Sequence, residues 1–383
     1  MTVHRLEGVP GFSIDRVAEA AGSDPDVLRL ENLDTDLPPP ASAIEATKAA
    51  AGRDDANSYL PFVGLDALRE AAAARVSLTS GIAYEPRTEC VITAGGTTGM
   101  LNALLALVEE GDEVVLTDPT YAGMIYRVRL AGGRPRFAPW VWEGDAWRLG
   151  LDALRAAVGP ATRALFLMSP SIPTGAVIGD DAWIEIARLC VARDLWLIHN
   201  AAMERILFDG RSVLHPASLP GMRERTVTVG SASKEYRMIG WRTGWVVGPP
   251  EAIARVGLVT IYNTVTAVGI AQPGVLAALT DPDAGVEDAV REWERRRDVL
   301  LEELRGMPVR APAGGWSLVL DVAELELEAE EASRRLLEFG RIAATPMTHW
   351  GPSGGALVRL VFSNEPVERL RGAGERVRRA LTG

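Results

Sequence analysis

The run TVTVGSASKEYRMIGWRTGWVVG occupies residues 226–248. Its ends, TVTVG (226–230) and GWVVG (244–248), are short and apolar, as expected of strands covered on both faces. Between them stand Ser231, Ser233, Lys234 and Arg242, flanked by Gly240 and Gly244. Loops at the C-terminal ends of buried parallel strands are where such sheets gather their chemistry. A lysine in a partly dry loop is shifted toward its neutral, nucleophilic form and can then condense with an aldehyde. Serine hydroxyls and an always-charged guanidinium suit a phosphate dianion. A surface turn with a solvated lysine is the plain alternative, and a lone SxSK does not separate the two.

Working outward, CVIT (90–93), EVVLT (113–117), RALFLM (163–168) and LWLI (195–198) also read as buried strands. TTGMLNALLALVEEG and DDAWIEIARLCVARD lie between them with apolar residues at helical spacing. Strand and helix alternate, so the expected fold is α/β, a doubly wound and mostly parallel sheet. The part beyond residue 285 opens with a strongly helical charged segment, VREWERRRDVLLEELRG, whose Glu and Arg residues read as a solvated face. Strand and helix patterns that follow it predict a smaller α+β domain. We expect residues 1–45 to be a loop-rich arm contributing to that domain, 46–285 the large domain and 286–383 the small one.

The chain has 383 residues, 24% charged and 47% hydrophobic, the balance of an ordinary globular protein. A formal net charge of -11 argues against nucleic-acid or anionic-membrane partners. Cys90 and Cys190 lie in apolar runs and support neither a disulfide framework nor a metal site. His4, His199, His215 and His349 show no ligand spacing, so no metal is expected. With no apolar N-terminal core and no run long enough to span a bilayer, the expected location is cytoplasmic.

The lysine segment, with Ser, Lys and Arg at this spacing before Gly-Trp, resembles that of the fold-type I pyridoxal-phosphate enzymes, specifically the class I/II aminotransferase family. Other segments are similar in the family's order: SYLPFVGLDALREAAA, ITAGGTTGM, DPTYAGM, IPTG and VRLVFSNEP. The likeness runs from about residue 28 to the end. It implies a pyridoxal 5'-phosphate enzyme moving the amino group of an α-amino acid, with Lys234 as Schiff-base lysine and proton shuttle. It puts Ser231, Ser233 and Arg242 on the cofactor phosphate, together with Gly95, Gly96 and Thr97, which open a helix whose free N–H groups and dipole attract anions. It has Tyr121 stack on the pyridine ring, a core aromatic being the alternative, and Tyr59 reach the phosphate of a neighbouring subunit in a homodimer with shared sites. Arg359, in a strand-like apolar run, would hold the substrate carboxylate; an internal carboxylate partner is the other reading.

The resemblance breaks at three ring contacts. The family's aspartate beneath the pyridine nitrogen falls at Asn200, its tyrosine three residues on at Met203, and its asparagine before Pro-Thr-Gly at Ile172. Asn200 either faces the ring nitrogen or holds its loop through side-chain to backbone hydrogen bonds. A neutral carboxamide supplies no charge to keep that nitrogen protonated. A lyase, a β/γ-elimination or replacement enzyme, or a cyclase of specialised biosynthesis is therefore the alternative to amino-group transfer. A repurposed, non-catalytic binder is a third reading, opposed by Lys234, Ser231 and Arg242. Trp316 and the run Thr348 to Gly351 are candidates either for the side-chain pocket or for packing.

Overall fold

Strands of the kind read at 226–230 pair into two sheets in the computed structural model of the protein, which describes residue 6, residues 9–11 and residues 13–383. In chain order the strands are β1 (Leu28–Leu30), β2 (Cys90–Thr93), β3 (Glu113–Asp118), β4 (Arg134–Glu143), β5 (Ala146–Leu149), β6 (Thr162–Met168) and β7 (Trp196–Asn200). They continue with β8 (Thr226–Ser231), β9 (Gly244–Val247), β10 (Val309–Arg310), β11 (Ser317–Asp321), β12 (Ile342–Pro346) and β13 (Leu357–Val361). The large sheet has the order β2-β9-β8-β7-β6-β3-β4-β5, and the smaller one β1-β12-β13-β11-β10. β8, β7, β6, β3 and β4 are mutually parallel, whereas β9 runs antiparallel between β2 and β8. This is the expected α/β architecture, mostly parallel and covered on both faces.

Alternation along β7 shows how the two faces are used. Ile198 packs in the core that includes Met100 of the helix Gly96–Leu107, while Leu197 packs with Trp183 of the helix Asp180–Arg193. Successive side chains on a strand point to opposite faces, so Asn200 looks toward the first core and His199 toward the second. Among the described residues no helix is long and apolar enough to cross a membrane.

Three sequence expectations need correction. β4 and β5 were not anticipated, because RPRFAPWVWE carries Pro135 and Pro139 and lacks a clean apolar run. Near a sheet edge, however, a missing N–H is tolerated. The loop-rich arm contains the helix Ser13–Ala21 and β1, which pairs in parallel with β12. Buried Val17, Ala21 and Val27 pack it against Ala343, a contact made between distant parts of the chain.

The charged helix Val286–Glu303 is not solvated all round either: Arg296 is 3% exposed and Arg297 6%. Arg296 donates to Asp36 Oδ1 (2.6 Å), Glu292 Oε1 (2.9 Å) and the Ser363 carbonyl (2.8 Å). Arg297 grips Asp209 through two bonds of 2.7 and 2.9 Å and lies over Phe208. A guanidinium can be buried when its planar fork is fully bonded. Through Arg296 the helix is tied both to the arm and to the segment after β13. We predict that Arg296→Ala costs about 2 kcal/mol of unfolding free energy, since Asp36 is partly solvated and the pair is worth less than a fully buried one. Arg296→Lys should recover under half of that loss. Urea unfolding followed by circular dichroism measures both, and an unchanged midpoint for the alanine variant would show that the buried fork is not holding the arm.

Candidate functional site

The large sheet delivers its C-terminal loops to one cleft. β2 leads through Gly95 into the helix Gly96–Leu107, β8 leads into Ser231–Lys234, and β9 begins just after Arg242. These backbones can meet only because glycine occupies the contacts. A Cβ on Gly244 would stand 2.5 Å from Gly96 N, and one on Gly95, which has φ +84, would stand 2.5 Å from Arg242 Nη2. The result is a small cationic cup. Arg242 donates to Ser233 Oγ (3.2 Å) and Thr97 Oγ1 (3.4 Å), and Ser231 Oγ lies 2.9 Å from Ser233 Oγ. Hydroxyls, a guanidinium and the first N–H groups of a helix converge on a space that a side chain at Gly95 would fill. That donor set fits a tetrahedral oxyanion.

Lys234 lies across the cleft from the arm. Its side chain is only partly accessible, and Nζ donates to the Leu33 carbonyl at 2.6 Å and stands 4.6 Å from the Trp316 ring centroid. Burial pulls the amine down to about 7; Asp34 works against that shift, and Arg359 and Arg242 add to it. The amine therefore loses its proton far more readily than an ordinary lysine does.

Arg359 sits in the middle of the small sheet, opposite Val319 on β11 and Thr345 on β12, and is 1% exposed. It donates to the Glu31 carbonyl and to Thr345 Oγ1 (3.3 Å), and lies 4.8 Å from the Trp350 ring centroid. Burial lowers this guanidinium to about 10, and its Nε has no partner. Among the described residues neither Arg242 nor Arg359 forms a salt bridge with a carboxylate. Tyr121 meets Trp350 edge to face at 5.9 Å. The Trp350 loop is anchored to the large sheet by Asp118, whose carboxylate accepts from Ser353 N (3.2 Å) and Ser353 Oγ (3.0 Å).

Asn200 ends β7, in register with Met168 on β6, and is 4% exposed. Its Nδ2 lies 3.3 Å from Met100 Sδ and 3.4 Å from Met168 Sδ, and its Oδ1 accepts from Ala202 N at 3.2 Å. Thioethers are weak acceptors, so the carboxamide has a poorly used donor in a surround of methionine. Met203 and Ile172 are buried too. Behind the strand, His199 meets Trp183 and His215 edge to face, at 5.5 and 5.1 Å. Burial holds both imidazoles well below their ordinary value.

The structure thus brings Gly95, Gly96, Thr97, Ser231, Ser233, Arg242 and Lys234 to one cleft, with Tyr121, Asn200 and Arg359 on elements that border it. Tyr59 stands outside this set, its side chain 81% exposed. Sequence reading missed the Leu33 carbonyl and the sulphur lining. Met100, one helical turn after Gly96, was legible as a residue facing the sheet; nothing local marks Leu33.

The description aminotransferase class I and II belongs to a family model that matches residues 25–376. An aromatic-amino-acid aminotransferase of Thermococcus litoralis is 30% identical over 98% of this chain and 97% of its own. A probable N-succinyldiaminopimelate aminotransferase of Mycobacterium tuberculosis is 37% identical over 81% of this chain and 78% of its own. Among solved structures, a single mutant of the Thermus thermophilus aspartate aminotransferase superposes with a TM-score of 0.91 at 31% identity, covering 100% of both chains. With the match spanning nearly its whole length, this chain belongs to the class I and II aminotransferase family, whose enzymes use pyridoxal phosphate.

Proposed function

We propose that the chain moves the amino group of an α-amino acid to a 2-oxo acid, with Lys234 as the covalent and proton-carrying residue. The observation that supports this best is a buried amine, its proton weakly held, set near two guanidiniums that form no salt bridge with a carboxylate among the described residues. The residues present fit pyridoxal phosphate: Ser231, Ser233 and Arg242 with the backbone of Gly95, Gly96 and Thr97 would hold the phosphate, and Tyr121 would cover the ring. When bound, that group supplies an aldehyde that condenses with amines and a ring that draws electrons from the substrate's α-carbon.

This chain's own residues do the rest. Arg359, buried with a free Nε, holds the substrate carboxylate through charge-assisted bonds. Lys234 would hold the cofactor covalently and, once freed by the incoming amine, its neutral Nζ would serve as the base for the proton on the substrate's α-carbon. The apolar walls of Trp316 and Trp350 keep water from competing for that proton.

The pH dependence follows from the amine. Lys234 is uncharged above about 7, against 10.5 for an ordinary lysine. Capture of pyridoxal phosphate by cofactor-free protein should therefore accelerate as pH rises through about 7 and level off above it. For stability the sign is the same: the penalty for the desolvated ammonium is complete below about 7 and fades as pH rises toward 10.5. Borohydride reduction followed by peptide mapping should find the cofactor on Lys234, and Lys234→Ala should abolish transfer. Full turnover in that variant would overturn the assignment.

The active form is a homodimer in this reading. Tyr59, Phe62, Leu258, Tyr262, Val265 and Val268 are exposed apolar residues, Tyr262 at 84%. Segment 56–63 and the end of the helix Pro250–Thr264 are joined locally, for example by Thr266 Oγ1 to the Pro61 carbonyl. An apolar patch of this kind calls for a partner, and a second copy would bring Tyr59 to the neighbouring cup. Sedimentation should give twice 41.1 kDa. The double variant Leu258→Asp, Tyr262→Asp should sediment as a monomer and bind pyridoxal phosphate at least about tenfold more weakly; a monomeric wild type with full cofactor affinity contradicts the shared site.

Asn200 sets the electronic character of the site. Its weakly used amide can donate to an unprotonated ring nitrogen but brings no charge, so the ring is a weaker electron sink than one facing a carboxylate. Asn200→Asp should change the absorption spectrum of the loaded enzyme and speed exchange of the substrate's α-proton in deuterium oxide. An unchanged spectrum and exchange rate would place Asn200 in a purely loop-holding role, through its bond to Ala202 N.

A further inference from the structure

Beside the cleft lies a cavity of about 210 Å3 between the arm, the helices Gly96–Leu107 and Ala122–Leu130, and the Trp350 loop. Val9, Pro10, Leu101, Ala122 and Leu130 make its walls largely apolar, and neither a carboxylate nor a lysine lines it among the described residues. Arg127 is its guanidinium, and that group is already engaged: Nε donates to the Thr97 carbonyl (3.0 Å) and Nη1 to the Gly123 carbonyl (2.7 Å).

Trp350 joins this cavity to the cleft. Its indole lines the cavity, carries the Arg359 guanidinium carbon 4.8 Å from its centroid and meets the Tyr121 ring at 5.9 Å. The loop that presents it is fixed. Thr120 N donates to the Trp350 carbonyl and Trp350 N to the Met347 carbonyl, each at 2.9 Å. Gly351 follows at φ +120, where a Cβ would collide with Asp118 Oδ1. Trp350 is thus shared between the cavity and the side of the cleft bordered by Arg359 and Tyr121.

We propose that the substrates carry an aromatic side chain and that this cavity receives it. The proposal rests on the reading of Arg359 and Lys234 as the carboxylate and amine sites. Volume and chemistry agree with it. An apolar cavity of about 150 Å3 accepts a benzene ring, so this one has room for a phenyl or larger aromatic group. A second carboxylate would instead have to leave water for walls of leucine, proline and valine, where the Arg127 guanidinium is engaged, the Ser13 hydroxyl donates to the Pro346 carbonyl, and Tyr126 and His349 are the other polar side chains.

The test uses unreactive acids on the holoenzyme, with calorimetric titration of 3-phenylpropionate, propionate and succinate. The expected result is 3-phenylpropionate binding at least about tenfold more tightly than either of the others, since apolar pockets discriminate by such factors. Leu101→Phe, which fills the cavity, should raise the ratio of the 3-phenylpropionate Kd to the propionate Kd by about tenfold; Leu130→Phe probes the same walls should the first variant not fold. Succinate binding as tightly as 3-phenylpropionate, or a ratio unmoved by both variants, overturns the proposal. Transfer assays separate it from the reading beneath it. Transfer from phenylalanine in preference to aspartate supports both, and transfer confined to aspartate or glutamate sinks the cavity assignment alone. No transfer from any amino acid, with the calorimetric preference intact, sinks the amino-transfer reading and leaves the cavity assignment standing.

Discussion

Uncompensated positive charge is the constraint around which this molecule is built. Lys234, Arg242 and Arg359 border one cleft, and among the described residues neither guanidinium forms a salt bridge with a carboxylate. Left alone, such an arrangement costs free energy through desolvation and mutual repulsion. The lysine relieves part of that cost by losing its proton near neutrality, which also makes it a nucleophile. Asp34 offsets part of the charge at Lys234 and Glu31 part of that at Arg359, and the charge that remains favours anionic ligands.

Holding the charges apart demands stiffness. Arg242 is set by glycines that let three backbone segments nearly touch, and Arg359 by a central strand of the second sheet. The two sheets are coupled at the rim, where Asp118 at the end of β3 binds Ser353 and so fixes Trp350. They are coupled again through the helix Val286–Glu303, where Arg297 grips Asp209 beyond β7 and the neighbouring Arg296 holds Asp36 and the Ser363 carbonyl. These polar ties stand beside a continuous apolar core that holds residues of both sheets, Ile198 and Val229 of the large one and Leu318 and Leu360 of the small one.

At the end of β7 a neutral side chain closes the strand in an apolar surround. A carboxamide enclosed by Met100 and Met168 suits an apolar, polarizable surround better than a carboxylate would, because burying an ionised group there is expensive. Asn200 keeps the strand end closed through Ala202 N, as short polar side chains do after strands. Ile172 and Met203 are buried apolar residues as well.

Much of this was legible in the linear chain. Buried strands at 90–93, 113–117, 163–168 and 226–230, the glycines at 95 and 96 and the SxSK…R spacing are local patterns, and local patterns determine which loops end at which edge of a parallel sheet. They do not determine pairings between distant segments. The strand at 28–30, the Leu33 carbonyl on Lys234 and the burial of Arg296 each join parts of the chain hundreds of residues apart. The proline-bearing strand β4 likewise becomes a strand only because β3 offers it a partner. Residue type and spacing decided the chemistry available to this protein; burial decided how that chemistry is tuned, because the desolvation that sets the lysine near neutrality belongs to the folded surroundings and not to the lysine itself.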